Sequence, residues 1–420
     1  MQSNFDVIVV GQSLAAYIAA LGFAHRQRRV AFVSTQAFPR PDALLPQLYL
    51  LPRTVRSFAR LGLGTDLADL AHPHGGWQLH TPAGPITQSH QPEQAGFYVR
   101  RFQLYELLQR HLRAQPSVTY YSDHELVGLL DQGHRVNGVQ LRELGGRAAT
   151  VSGKLVVAAD DFCSQMATLA DVPETRVQNG RFGYYGYFRA TSLPPTMWLR
   201  DPDVAAIVPD EGGLVLALAM PTRDKQLTFQ RDPQAAFLDY FAGLPGAPEL
   251  QKKFQQSPIR PVIQNDLISR PPTYRGMALI GAAALANDPL WGLNDSWSAD
   301  SAFLLVRQLS NRLSHLPALA AGLQRYKKGH QRMFRQPQRW MRDYASGRRL
   351  NLRERWLLNA AVTDDQTAAT LLAILHGETN TAAIMNTLAV LTSAPSTPNR
   401  PPAARHTCSP IWAPPDQNLS

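Results

Sequence analysis

The stretch from Asp6 to Thr35 most constrains what this chain can fold into. Asp6-Val-Ile-Val-Val10 is a short apolar run rich in β-branched residues, the pattern of a strand buried on both faces of a parallel sheet. Gly11-Gln-Ser-Leu-Ala-Ala16 follows as a turn, and Ala15 to His25 reads as a helix of small residues that packs closely. Arg29-Val-Ala-Phe-Val33 is a second strand. Strand, tight turn, helix and strand make a βαβ unit, which commits the chain to an α/β sheet with parallel neighbours.

The first turn of such a unit is where the Rossmann dinucleotide fingerprint, G-x-G-x-x-G/A, sits. Here it reads Gly11-x-Ser13-x-x-Ala16. The acid expected at the end of the second strand to hold a ribose hydroxyl is Ser34. The architecture is present and part of its chemistry is replaced. The triplet around Ser13 also mimics a nucleophile elbow, but the final glycine of that motif is missing.

The rest of the 420 residues suits a two-lobed α/β protein. Helical periodicity near Leu51–Leu70 and from Arg101 to Leu108 alternates with strands at Trp77–Thr81, Phe97–Val99, Val118–Tyr121, Val136–Leu141 and Lys154–Ala159. From Phe182 to Leu227 strand signals separated by turns dominate, as in an antiparallel sheet. Met277-Ala-Leu-Ile-Gly281 returns to the buried parallel type, and the pattern beyond Ser298 is helical. The expected division is a Rossmann-like first part at 1–180 and an antiparallel-sheet substrate domain at 181–275. A return to the first domain follows at 276–300, then a helical region at 301–392 and a tail at 393–420 rich in Pro, Ser and Asn, of disordered composition. No apolar run is long enough for a transmembrane helix. Cys163 and Cys408 offer no metal-ligand spacing, and the histidines offer none either, so no metal is expected. A cytoplasmic location is expected.

This order of elements resembles the group A FAD-dependent monooxygenases, the fold of para-hydroxybenzoate hydroxylase, in the bacterial branch with a D-P-[LI]-W-G motif. The resemblance covers roughly residues 4–375 and rests on five places in order. They are the Gly11 turn; Arg101 with Leu104 and Leu108; Ala159-Asp160-Asp161-Phe-Cys-Ser164; Leu279-Ile-Gly-Ala-Ala-Ala284; and Asn287-Asp-Pro-Leu-Trp-Gly292. It implies FAD, with NAD(P)H as reductant if FAD is bound. The FAD-contacting positions are then Gly11, Ser13, Ala16, Ser34, Arg101, Asp160, Gly281, Ala282, Asp288, Pro289 and Gly292.

The departures fall on those positions. Ser13 stands where glycine lets the backbone approach a pyrophosphate, and its side chain is expected to add bulk there. Ser34 replaces a carboxylate, and Ala282 replaces an aspartate that holds the ribityl chain. Asp161 replaces the glycine of an Asp-Gly pair, and Asn294 replaces a glycine that lets a loop pass the flavin ring. A lost charge-assisted hydrogen bond costs on the order of 1.5–3 kcal/mol, so two losses weaken FAD by several decades, at about 1.4 kcal/mol per decade.

Three functions follow. The favoured expectation is a flavin-independent, non-redox conversion or binding of an apolar metabolite, such as a cyclisation or isomerisation in secondary metabolism. The alternative is an active FAD- and NAD(P)H-dependent monooxygenase that hydroxylates or epoxidises an aromatic or apolar substrate. The third is an accessory interaction protein. Asp295 and Asp300 are the candidates for proton transfer. Tyr185 and Tyr187, which alternation puts on one face opposite Tyr184, and Trp291 and Trp297 are candidates to wall a substrate cavity.

The net charge of +10 is concentrated. Between Arg325 and Arg355 eleven Lys or Arg face two acids, Asp343 and Glu354, a local net of +9. This reads either as the solvated face of a helical region or as a surface for an acidic protein partner; no nucleic-acid motif accompanies it.

Overall fold

The computed structural model describes residues 5–34, 46–74, 76–87, 96–122, 124–143, 146–190, 193–262, 266–288 and 292–375. The expected tail at 393–420, Pro289 and Trp291 lie outside these residues.

The first sheet is the parallel one. Strand Phe5–Val10 lies between Val30–Val33 and Ala148–Ala158, parallel to both, with Val7 opposite Val30 on one side and Leu155 on the other. Val118–Tyr121 extends the sheet beyond Val30–Val33, and Met277–Leu279 extends it beyond Ala148–Ala158. Residues Phe5 and Met277, nearly the length of the fold apart in sequence, therefore share one sheet, as the apolar runs predict. Val7 to Val10 are fully or almost fully buried, which explains a run with no polar alternation. Strand Ala148–Ala158 also pairs antiparallel with Arg135–Glu143, which continues the hairpin from His124–Gln132.

Helix Leu14–Ala24 is buried at every position. Its small residues are required by its neighbours: a Cβ at Gly22 would press into the Val306 side chain. That side chain belongs to helix Asn294–Leu309, which runs across it. Helix Arg101–Arg113 closes the same layer with Leu104, Leu108 and Leu112.

The second sheet is almost wholly antiparallel and has seven strands. Arg260–Val262, Gly183–Arg189, Leu214–Met220, Asp203–Asp210 and Thr196–Arg200 run in that spatial order. Strands Gln78–Thr81 and Gly84–Thr87, from much earlier in the chain, complete it, the first pairing parallel with Thr196–Arg200. One face carries Tyr185, Tyr187, Met197, Ala206 and Leu216 in a core shared with Trp297, Phe334 and Leu358; the other carries Phe188, Trp198 and Ala205 against helix Pro233–Phe241. Tyr184 packs on this second face, so the alternation read from the sequence holds. Helices Leu316–Ala345, Leu352–Thr363 and Asp365–Leu375 form the C-terminal helical part. No helix among the described residues is long and apolar enough to cross a membrane.

Candidate functional site

The Gly11 turn sits at the carboxyl end of the central strand. Gly11 has φ +127°, and a Cβ there would run into the backbone of Ala159 and Asp160 on the neighbouring strand. Only glycine fits this position. Ser13 does not project towards a ligand, as its bulk suggests in the sequence. Its hydroxyl turns inwards, donates to the Ala159 carbonyl at 2.6 Å and accepts from the Ala16 N–H at 3.2 Å, capping helix Leu14–Ala24. The hydroxyl thus satisfies an otherwise orphaned amide of the helix end and ties it to the neighbouring strand.

The same helix end is closed from a second direction. The Leu14 N–H donates to the Tyr105 hydroxyl at 2.9 Å, and Tyr105 is buried beside Arg101 on helix Arg101–Arg113. Sequence reasoning missed Tyr105, whose contact with Leu14 spans 91 residues. Ser34 is also buried and donates to Oε1 of Gln12 at 2.8 Å, while the Gln12 amide reaches the Tyr17 hydroxyl at 3.3 Å. Asp160 accepts from the Ser164 hydroxyl at 2.7 Å and the Met166 N–H at 3.0 Å, so its carboxylate is spent on the following helix. Gly281, φ +59°, packs on Ala15 and donates its N–H to Ser301 at 2.8 Å. Ala282, beside it in a short 3-10 turn, offers no side-chain acceptor.

One face of the antiparallel sheet borders a cavity of about 280 Å³, near the lower edge of the roughly 300–1,000 Å³ usual for small-molecule sites. Met197, Val208, Leu216, Leu218 and Met220 from the antiparallel sheet and Trp77 give it an apolar wall. Gln47, Arg101, Asp288, Gly292, Asn294 and Asp295 supply its polar end. Gly292 has φ +64°. Tyr185 and Tyr187 are buried on the sheet face that carries this wall, but they stand behind the lining. Trp297 likewise packs on Phe334, with ring centroids 5.6 Å apart, rather than lining the space.

Arg101 and Asp295 form a charged pair in the cavity lining. Both terminal nitrogens of Arg101 lie 3.5 Å from one oxygen of Asp295, which occupies the first turn of helix Asn294–Leu309. Burial works against the Arg101 charge, but Asp295, Tyr105 and Asp161 together outweigh it and the guanidinium is held above its ordinary value. The helix N-terminus in turn favours a negative Asp295. Asp300 lies elsewhere. Its buried carboxylate takes Nε of Arg53 at 2.7 Å and the Thr54 hydroxyl at 3.1 Å, away from the cavity lining.

A third carboxylate has the perturbed chemistry. Burial pushes Asp161 from 3.8 to about 6; the Phe162 N–H and Arg101 oppose the shift, and Asp160 and Asp295 add to it. Asp161 thus feels both members of the Arg101–Asp295 pair while poised to exchange a proton near neutrality. The sequence marks it only as a misplaced glycine.

Several buried amides find no hydrogen-bond partner among the described residues: both polar atoms of Gln47, both of Asn287, and Oδ1 of Asn294. Gln47 and Asn294 line the cavity, and the Asn294 amide nitrogen donates to the Asn287 carbonyl at 3.1 Å. Unsatisfied buried polar groups are costly; those of Gln47 and Asn294 belong to the cavity lining, while others, such as Gln103, Asn137 and Gln234, lie elsewhere in the fold.

With this geometry in place, comparison with known proteins gives the family. Residues 4–232 match the FAD binding domain family. The chain belongs to it. No curated protein matches the sequence. Among solved structures, the myxobacterial chondrochloren halogenase, a variant of FAD-dependent halogenases, is 20% identical with a TM-score of 0.69, covering 89% of this chain and 97% of its own. The p-nitrophenol 4-monooxygenase of Pseudomonas putida is 18% identical with a TM-score of 0.68, covering 90% and 98%. A probable FAD-dependent monooxygenase of Pseudomonas aeruginosa is 16% identical with a TM-score of 0.66, covering 87% and 98%. At these identities the likeness is one of fold. The chain is therefore a member of the FAD binding domain family with a monooxygenase-like fold.

Whether this member's residues fit FAD can be asked of each group. Gly11 and Gly281 keep their positive-φ backbones. The ribose place holds Ser34, committed to Gln12, and the ribityl place holds Ala282. The helix end that would face a pyrophosphate has its Leu14 and Ala16 amides taken by Tyr105 and Ser13. At the ribose and ribityl places this member has no carboxylate, and two amides of the helix end have protein partners.

Proposed function

We propose that this protein uses the flavoprotein fold as a flavin-independent chamber for an apolar metabolite with one polar end, and that it promotes a non-redox step such as a cyclisation or isomerisation in secondary metabolism. The observation that carries this reading is the closed helix end: Leu14 N–H on Tyr105 and Ala16 N–H on Ser13. A helix N-terminus binds phosphate through its free amides, and two of these have protein partners. Within the cavity lining, Gln47 and Asn294 carry unused hydrogen-bonding capacity.

The residues divide the work. The apolar wall from Met197 to Met220 folds a flexible ligand and excludes water. Gln47 and Asn294 orient its polar end. Arg101 stabilises negative charge that develops there. Asp288 and Asp295 are the carboxylates lining the polar end, and Asp161, outside the lining, is raised to about 6 by burial and can exchange a proton in that range. Positioning alone supplies on the order of 7–11 kcal/mol at best, and a positioned acid or base adds roughly 10²–10⁴-fold.

A second reading, the FAD- and NAD(P)H-dependent monooxygenase, is favoured by the Gly11 and Gly281 backbones. Titration of the purified protein with FAD separates the two. The chamber reading expects no stoichiometric binding by the unmodified chain and tight binding only when Ser34→Glu, Ala282→Asp and Asn294→Gly are combined. Tight binding by the unmodified chain overturns it in favour of the monooxygenase.

A further inference from the structure

Helix Leu316–Ala345 resolves the basic stretch into two unlike parts. Near its end the charge is neutralised internally: Arg348 pairs with Asp343 and Glu354, and Arg355 with Asp201 at 3.1 Å. Upstream, Arg325, Lys328, Arg332, Arg335 and Arg339 are all exposed and make no ion pair among the described residues. Their spacing is 3, 4, 3 and 4 residues. At 3.6 residues per turn they fall within an arc of roughly 80° and span about 21 Å of the helix. Leu319, Leu323, Tyr326, His330, Phe334 and Met341 occupy the opposite, buried face.

We propose that this stripe is a docking surface for an acidic protein helix, one that presents carboxylates at the same heptad-like spacing. Like-charged side chains at i,i+3 and i,i+4 destabilise an isolated helix, so five such cations without a counter-charge weaken the fold until a partner supplies one. The spacing of 3 and 4 residues is the pitch of another α-helix lying alongside. Two other polyanions fit less well. Single-stranded nucleic acid is held by aromatic platforms beside the charge, and here Tyr326 and Phe334 point into the core and Trp340 is partly buried and outside the arc of the stripe. An anionic membrane needs apolar side chains on the same face, and the residues interleaved on it are Ala321, Gly329 and Gln336.

The test uses the whole protein and a synthetic helical peptide carrying five Glu at positions matching the stripe. The controls are the same composition with the Glu positions scrambled, a single-stranded oligonucleotide, and phosphatidylglycerol vesicles. The matched peptide is expected to bind at least tenfold more tightly than the scrambled one. It should lose at least tenfold in affinity as salt rises from 50 to about 300 mM, because exposed pairs are screened. Combined Lys328→Glu, Arg332→Glu and Arg335→Glu should abolish binding with the circular dichroism spectrum unchanged. If that variant misfolds, the three Gln substitutions are measured instead and should weaken binding at least tenfold. Equal affinity for matched and scrambled peptides overturns the proposal, as does tighter binding of oligonucleotide or vesicles, or unchanged binding by the variants.

Discussion

The Tyr105 hydroxyl accepts the Leu14 N–H at 2.9 Å, across 91 residues of sequence. This contact and the Ser13 cap consume amides that a phosphate would otherwise take. Restoring acceptors at Ser34 and Ala282 replaces two charge-assisted bonds of about 1.5–3 kcal/mol each. FAD affinity of Ser34→Glu with Ala282→Asp and Asn294→Gly should therefore rise by roughly two to four decades. Adding Tyr105→Phe, which frees the Leu14 amide, should tighten it again, read as quenching of FAD fluorescence. No gain from Tyr105→Phe in the restored chain would mean that the helix end does not limit binding.

Asp161 should make the protein less stable at neutral pH than in mild acid. Its folded value of about 6 lies above the ordinary 3.8, so the folded state binds more protons between them. By linkage, that contribution to stability is full below about 3.8 and is lost as pH rises through 6. Asp161→Asn removes the penalty. The variant should match the parent near pH 4 and exceed it above pH 6.5 by up to about 3 kcal/mol, at 1.36 kcal/mol per unit. Urea unfolding at the two pH values measures the difference; equal gains at both would show that charge is not the cause.

His330 should act in the opposite direction. It is buried against Phe334 and Tyr326, its Nε2 has no partner among the described residues, and burial depresses it from 6.5 to about 4. The folded state then binds fewer protons than the unfolded one, and stability falls as pH drops from 6.5 towards 4. His330→Leu should flatten this acid limb by up to about 3 kcal/mol at pH 4, with little change at pH 8. An acid limb as steep as the parent's would assign the loss to other groups.

What the sequence made legible is what local pattern encodes. Val7–Val10 and Met277–Leu279 announce a parallel sheet because both faces are buried, and Tyr184 separates from Tyr185 and Tyr187 because strands alternate. Ser13 was opaque: whether its hydroxyl faces a ligand or the Ala159 carbonyl depends on a strand 146 residues away. Tyr105 was opaque for the same reason. Asp161 reads in sequence only as a lost glycine, since its raised value comes from burial between elements. Asp295 and Asp300 were distinguishable in principle. Five residues along a helix turn a side chain through roughly 140°, so the two cannot share a face.

That separation gives the sharpest test of the cavity. Asp300 joins Arg53 and Thr54, and Asp300→Asn leaves the Arg53 charge without its partner. The Arg53 side chain is 38% exposed, so water offsets part of the 3–5 kcal/mol typical of a broken buried pair, leaving about 1–3 kcal/mol. The cavity should not notice. Asp295 has the reverse profile: it is a quarter exposed, pairs at a long 3.5 Å and lines the cavity with Arg101. Asp295→Asn should cost little stability and leave Arg101 free to meet an anion. The dye 8-anilinonaphthalene sulfonate, apolar with one sulfonate, reports this directly through its fluorescence. Asp295→Asn should bind it about 3–10-fold more tightly, consistent with roughly 1 kcal/mol for a partly exposed charge pair. Asp300→Asn should bind it like the parent but melt several degrees lower. Equal dye affinity in the parent and Asp295→Asn would remove Arg101 and Asp295 from the polar end of the site.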